Sequence, residues 1–443
     1  MESLSRIADL LSCFEDRATW SVSDLLSRLK IPTSTGYKLI KALQSRGLLI
    51  NASRGLLALG PAAQAFFYAP VKVVAPQSVA PQWARGQWPQ AERLAVSRVA
   101  QWNNGLLNLV STARFRKPPP YVVGFANASL SNPWRIAMVG SLVAAARRQR
   151  DVAQVLVRDA QDDAGLQVVQ LQEMRELGID LCILSAAASS DPRLDAVVSD
   201  LAAQGLPIIG VDRRCGGPDD LVSFVTASDL VIGRVSAIWM AEFLGGKGRI
   251  LMLCGRRDAS PCLMRLQAAQ EVFSLHPGIE IVAIEFTDWQ AQQAYGAVSR
   301  LLASGQILDG IWSDSGLQSI GSLQAFADAG FKKGTFPPHT GGDINIMYKT
   351  ALQMRVPLCA LDYPAAMGAI GFQTALETLS GRQVPRRVET NLEVVVSRGH
   401  ETASVRADML AEEKVRWDRE DDFVHAAGWI PGGVRTRSGP RLP

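Results

Sequence analysis

Five residues, LSNPW at 130–134, set an Asn, a helix-starting Pro and a large aromatic between an apolar run, YVVGFANAS, and a helical stretch, RIAMVGSLVAAARRQR. Open α/β sheets hold ligands at strand-to-helix turns of this kind. The corner suits a sugar, with the Trp134 ring against a C–H face and the Asn132 amide toward hydroxyls. A second chemistry-bearing stretch, PTSTGYKLIKALQSR, lies near the start. At helical spacing Gly36, Leu39, Ile40, Leu43 and Gly47 share one side, while Ser34, Lys38, Lys41 and Ser45 take the other and Tyr37 the flank. Lysines there would neutralise phosphates. The Thr33, Ser34 and Thr35 hydroxyls and the helix-start N–H groups would grip phosphate oxygens, and Tyr37 and Lys38 would meet base edges. A solvated face of a small protein-interaction bundle is the plainer reading of the same residues.

Enzyme chemistry finds little footing. HExxH, GxSxG, CxxC and the phosphate-loop form GxxxxGK[ST] do not occur, and GGKGR at 245–249 reads as a tight turn before a strand. The four His form no recognisable catalytic set, and the six Cys are scattered without paired spacing. No catalytic residue, metal site or cofactor is expected.

These residues must be positioned by several domains, because 443 residues exceed one core. With 47% hydrophobic and 20% charged residues, and no apolar run of membrane-spanning length, the chain reads as globular with no membrane partner. The first twenty residues lack the basic start and apolar middle of a secretory signal, so a cytoplasmic location is expected. Residues 1–117 carry 15 Lys/Arg against 6 Asp/Glu, whereas 118–443 carry 31 against 36, so only the front is suited to a polyanion.

Residues 4–14, 21–30 and 33–46 read as three helices, the second capped by Ser21 with Asp24 three residues on. GLLINASRGLLALG follows as a hairpin with Arg54 at its tip, making a winged helix-turn-helix over 1–66. Residues 67–117 form a Pro- and Gln-rich linker with a possible dimerisation helix, interrupted by Asn103-Asn104-Gly105. From Tyr121, nine apolar strand candidates alternate with amphipathic helices, the pattern of parallel sheets covered on both faces. Residues 118–399 suffice for two such lobes with a ligand cleft between them, and 400–443 read as a charged C-terminal tail.

Two resemblances add to this. SLSRIADLLSCF, SVSDLLSRLKIPTSTGYKLIKALQSRGLL and LLALGP resemble the IclR-type DNA-binding domain, which implies a recognition helix at 33–46 and a wing at 48–59. VGFANASLSNPW, LPIIGVDRR, TASDLVIGR, FLGGKGRILMLCG, FTDWQAQQAY, DGIWSDSGLQSIGSLQA, GGDIN and LDYPAAMGAIG resemble, in order, a type I periplasmic-binding-protein domain of the ribose-binding and LacI-effector kind. That resemblance implies ligand contacts from Asn132, Trp134, Asp212, Arg213, Trp289, Ser315, Asp343 and Asp362. Leu263 stands where the ribose-binding pattern has an Arg, Arg265 keeps its second Arg, and Arg135 replaces a frequent aromatic, so ribose itself is doubtful.

The expectation is a cytoplasmic, dimeric transcription regulator that binds double-stranded operator DNA and senses a carbohydrate or polyol. Its rivals are a sugar-binding receptor of an ABC-type uptake system with no DNA role, and a sugar-processing enzyme.

Overall fold

A computed structural model describes residues 10, 20–45, 49–53, 56–59, 109–217, 219–390 and 392–425. Met1–Val79 and Ala80–Pro443 are two compact units.

In the first unit, β1 (Trp20–Ser21), α1 (Val22–Arg28), α2 (Thr33–Gln44), β2 (Leu49–Ser53) and β3 (Leu56–Leu59) surround a core of Leu10, Trp20, Leu25, Leu26, Ile40, Leu43, Leu49 and Leu57. The sheet is antiparallel in the order β1-β3-β2. Ser21 caps α1, its hydroxyl accepting from the Asp24 N–H at 3.1 Å, as the S-x-x-D spacing predicts. Helix α2 buries Gly36, Ile40 and Leu43 and exposes Tyr37, Lys38 and Lys41. Arg54, most of the predicted helix at 4–14, and 60–108 with the predicted dimerisation helix lie outside the described residues.

The second unit is two α/β lobes. After β4 (Leu109–Val110), the first lobe is built from β5 (Tyr121–Asn127), α3 (Pro133–Ala146), β6 (Val152–Asp159), α4 (Ala164–Glu176), β7 (Leu181–Leu184), α5 (Pro192–Ala203), β8 (Ile208–Val211) and β9 (Ser223–Thr226). The chain then enters the second lobe through α6 (Asp229–Phe243), β10 (Lys247–Cys254), α7 (Ser260–Phe273), β11 (Gly278–Phe286), α8 (Ala291–Ala303), β12 (Gly310–Ser313), α9 (Gly316–Asp328), β13 (His339–Thr340), α10 (Asn345–Met354) and β14 (Leu358–Asp362). It returns through α11 (Met367–Leu379), β15 (Val384–Pro385) and β16 (Arg387–Glu389) before β17 (Glu393–Val396), β18 (Met409–Leu410) and α12 (Ala411–Lys414) finish the second lobe.

The first sheet runs β16-β9-β8-β7-β5-β6, all parallel. The second runs β11-β10-β12-β13-β14-β17-β18, parallel except where β17 pairs antiparallel with β14. LCIL of β7 and IIGV of β8 are buried throughout, since helices cover both faces. The chain passes between lobes three times, after β9, β14 and β16. Residues 400–425 depart from the charged tail read in the sequence: they add an edge strand and a one-turn helix, then run across the start of α10.

Candidate functional site

A cleft opens between the lobes. Its walls are the loops at the carboxyl ends of the parallel strands, where a strand sheet leaves backbone and side chains free to meet a ligand. The first lobe brings Asn132, Trp134 and Arg135 from the start of α3, and Asp212 and Arg213 from the end of β8. The second brings Pro261 and Arg265 from α7, Trp289 after β11, Ser315 after β12 and Asp343 after β13. Tyr363 enters from the second crossing.

Each guanidinium on the walls is matched by a carboxylate. Arg135 lies 2.8 Å from Asp212, Arg213 lies 2.7 Å from Asp162, and Arg265 lies 2.8 Å from Asp229. Burial and the neighbouring Arg213 lower Arg135 to about 10. Burial works against Asp162, but Arg213 and Arg256 hold its carboxyl below the usual range. Two indoles face in from opposite lobes. Trp134 donates its N–H to the Tyr363 carbonyl at 2.7 Å and tilts 33° to the Tyr363 ring. Trp289 donates to Asp314 Oδ1 at 3.0 Å and carries the Arg213 guanidinium 5.0 Å from its ring centre. Burial pushes Asp314 up to about 6.

Three of these residues sit in left-handed backbone: Asp212 at φ 63°, Trp289 at 55° and Asp343 at 77°. That conformation costs a non-Gly residue of order 1–3 kcal/mol and persists where surrounding contacts over-determine it. The Trp289 ring seats against Gly255, where a Cβ would lie 2.0 Å from the indole, so only Gly lets the ring occupy this place.

Seven of the eight predicted ligand residues therefore line one cleft: Asn132, Trp134, Asp212, Arg213, Trp289, Ser315 and Asp343. Asn132 also caps α3 through Oδ1, accepting from the Arg135 N–H at 3.0 Å, so its amide nitrogen is the half that can donate to a ligand. Ser315 likewise caps α9. Asp362 does not line the cleft. It lies behind Asp343, accepting from the Asp343 N–H at 2.7 Å and from the Tyr348 hydroxyl. Burial, with Asp362 beside it, lifts the Asp343 carboxyl well above the usual range. The sequence reading left Arg135, Arg265, Pro261 and Tyr363 out of the contact set. Arg135 and Arg265 were visible in it as departures and retentions of a family pattern, whereas Tyr363 carried no signal beyond adjacency to Asp362. Leu263 is fully buried within α7.

A family model described as a periplasmic binding protein domain matches residues 123–383. The chain is similar to the xylitol-binding protein of Mycolicibacterium smegmatis, 27% identical over 39% of this chain and 48% of that protein. It is 27% identical to a putative rhizopine-binding protein of Rhizobium meliloti over 41% of this chain and 59% of that protein, so it spans about half of these two relatives. With the ribose import binding protein of Haemophilus influenzae it shares 20% identity over 62% of this chain and 90% of that protein. In solved structures, an ABC transporter solute binding protein of Bacillus halodurans C-125 with bound myo-inositol superposes with a TM-score of 0.58, at 19% identity, over 63% of this chain and 96% of that one. A Shewanella arabinose transporter binding protein superposes with a TM-score of 0.58, at 20% identity, over 62% of this chain and 91% of that one. Both likenesses concern the fold.

These relatives overturn the expectation of a DNA-binding transcription regulator. Their names give xylitol, ribose and myo-inositol as ligands and, for two of them, an import or ABC transporter role, and nothing among them points to an IclR-type winged helix or to operator DNA as a partner. The physical reason lies in the face on which that expectation rested. Thr33, Ser34, Thr35, Tyr37, Lys38 and Lys41 are exposed on α2, and hydroxyls and ammonium groups are what any solvated helix face carries. What the matched fold and its cleft do establish is that this chain belongs to the periplasmic binding protein domain family.

Proposed function

We propose that the two-lobed unit, taken as 118–399 with the segment that follows it, binds a neutral carbohydrate or polyol between its lobes and acts as the solute receptor of an ABC-type uptake system. The observation that carries this reading is the cleft itself, where Trp134 and Trp289 face in from opposite lobes over Arg–Asp pairs. Indoles cover the C–H faces of a sugar ring, while paired charged groups donate to and accept from its hydroxyls. Because Arg135, Arg213 and Arg265 each already hold a carboxylate, the walls are close to electrically balanced and favour an uncharged polyhydroxylated ligand over a sugar acid or phosphate. The xylitol, ribose and myo-inositol in the relatives' names are such ligands. Lobe closure around the ligand is the conformational step this architecture offers.

The test is thermal unfolding and calorimetry of the full chain with myo-inositol, xylitol and D-ribose. A ligand at one hundred times its Kd stabilises by about 2.7 kcal/mol. Trp134→Ala should abolish that stabilisation while the protein still unfolds cooperatively, and the recovered ligand should be chemically unchanged. Retained stabilisation in the variant would place the site elsewhere; conversion of the ligand would make the protein an enzyme. A receptor of this kind captures solute outside the cytoplasm, so cell fractionation decides between it and the location expected from residues 1–20.

A further inference from the structure

We infer that residues 411–425, beyond the part of the chain matched by the family, are a brace of the ligand site, with Lys414 as a positioning residue for Asp343. The inference rests on the reading of the cleft as a polyol site.

Lys414 ends α12 with its ammonium 2.7 Å from Asp362 Oδ2 and bonded also to Glu393. Both members of the Lys414–Asp362 pair are buried, the side chains 11% and 3% exposed. On its other oxygen Asp362 accepts from the Asp343 N–H and the Tyr348 hydroxyl. Asp343 Oδ1 in turn accepts from the Tyr363 N–H at 2.5 Å. A line of direct bonds thus runs from the C-terminal segment through Asp362 to two residues of the cleft wall.

Past Lys414 the chain does a second job. Helix α10 starts two residues after Asp343, and no side chain of its own caps it. The first N–H groups of a helix have no partner within it and must find one outside. Here the C-terminal segment supplies them. The Asn345 N–H donates to the Phe423 carbonyl at 2.8 Å, and the Ile346 N–H to that of Asp421 at 2.9 Å. The Asn345 amide donates to the Arg416 carbonyl at 2.7 Å and accepts from the Arg416 N–H at 3.0 Å. Finally, the His425 N–H donates to the carbonyl of Asp343 itself at 2.9 Å, and Val424 bridges Ile344 on the cleft wall. Asp343 has left-handed backbone at φ 77°, a state held only by contacts on both sides. The bonds from 411–425 reach its backbone carbonyl and the start of α10, while Oδ1 is held by the Tyr363 N–H.

The electrostatics run the same way. Asp343 and Asp362 lie side by side, and the charged or titratable groups facing them are Lys414, Arg265, Glu393, Tyr348 and His425. Lys414 is the cation in direct contact with Asp362. Without it, one of the two carboxyls keeps its proton to higher pH, and the wall loses an acceptor.

The experiment compares wild type, Lys414→Met, Lys414→Arg and Asn345→Ala in the full chain. Affinity for myo-inositol, xylitol and D-ribose is read by calorimetry across pH, and the buried carboxyl band of the ligand-free protein by infrared titration. Lys414→Met should weaken binding about tenfold, an ordinary coupling between neighbouring charged groups. It should also carry the carboxyl band about one pH unit higher, with Lys414→Arg restoring both. Asn345→Ala should weaken binding with the carboxyl titration unmoved. Wild-type affinity and titration in Lys414→Met, or wild-type affinity in Asn345→Ala, overturns the brace. Should wild type bind none of the three ligands, the carbohydrate or polyol reading fails, while the infrared titration of the free protein still decides the coupling of Lys414 to the pair. If Lys414→Met does not fold, Asn345→Ala and Lys414→Arg carry the decision.

Discussion

The seating of Trp289 can be attacked without touching it, through Gly255→Ala. The added Cβ would lie 2.0 Å from Trp289 Cε2, 2.3 Å from Nε1 and 2.4 Å from Cζ2. Carbon atoms rest about 3.5–4.0 Å apart, so the indole must retreat by about 1.5 Å. Gly255 is not among the glycines with positive φ, which means that alanine meets no backbone penalty and the effect is steric alone. A retreat of that size breaks the 3.0 Å bond to Asp314 and leaves a buried carboxyl one donor short. Overpacking costs about 1–3 kcal/mol, and an orphaned buried acceptor costs a similar amount, so the expected loss of stability is about 2–6 kcal/mol. The ring leaves its seat on the cleft wall and its place beside the Arg213 guanidinium, so affinity should fall at least about tenfold. Urea unfolding gives the first number and calorimetry the second. The control is the same substitution in a Trp289→Ala background, where it should cost under about 0.5 kcal/mol because nothing remains to displace. Equal cost in both backgrounds, or wild-type stability and affinity in Gly255→Ala, would refute this account of the wall.

Two further outcomes follow from buried charge. Arg135→Met strands Asp212 in the first lobe and should cost about 3–5 kcal/mol in urea unfolding, with Arg135→Met/Asp212→Asn recovering part of it; an additive double variant would show the pair to be uncoupled. Burial pushes the His339 imidazole down from 6.5 to about 4, so the unfolded chain takes up its proton first as pH falls. Its contribution is complete above pH 6.5 and should be lost toward pH 4, by about 3 kcal/mol; His339→Gln should flatten that limb of a stability–pH series.

What the sequence made legible follows from how strongly each element is constrained. Interior strands such as β7 and β10 were readable because burial on both faces turns them into apolar runs, LCIL and RILMLC. The short strands β15 to β18 were not, being two to four residues long and carrying polar residues such as Arg387 and Glu393. In the site, the corner at Asn132 and Trp134 was visible because a capping Asn, Pro133 and a ring are each informative at a helix start. The family pattern points to Asp362, whereas the cleft wall carries its neighbour Tyr363. Successive side chains at a strand end point to opposite faces, so the cleft receives Tyr363 and Asp362 turns back toward Lys414, which nothing in LDYP foretells. The left-handed backbone of Trp289 was equally hidden, since tryptophan has no preference for it, and the seat of its ring depends on a glycine thirty-four residues away.

The contrast between the two halves is energetic. Lys38 and Lys41 stand in water, where a charge costs almost nothing and so implies no partner. Arg135, Arg213 and Arg265 are almost wholly desolvated, which is expensive unless the geometry around them is fixed. A chain that maintains three such pairs around one opening is organised for what enters it, and that is why the cleft, and not the basic helix, carries the functional argument.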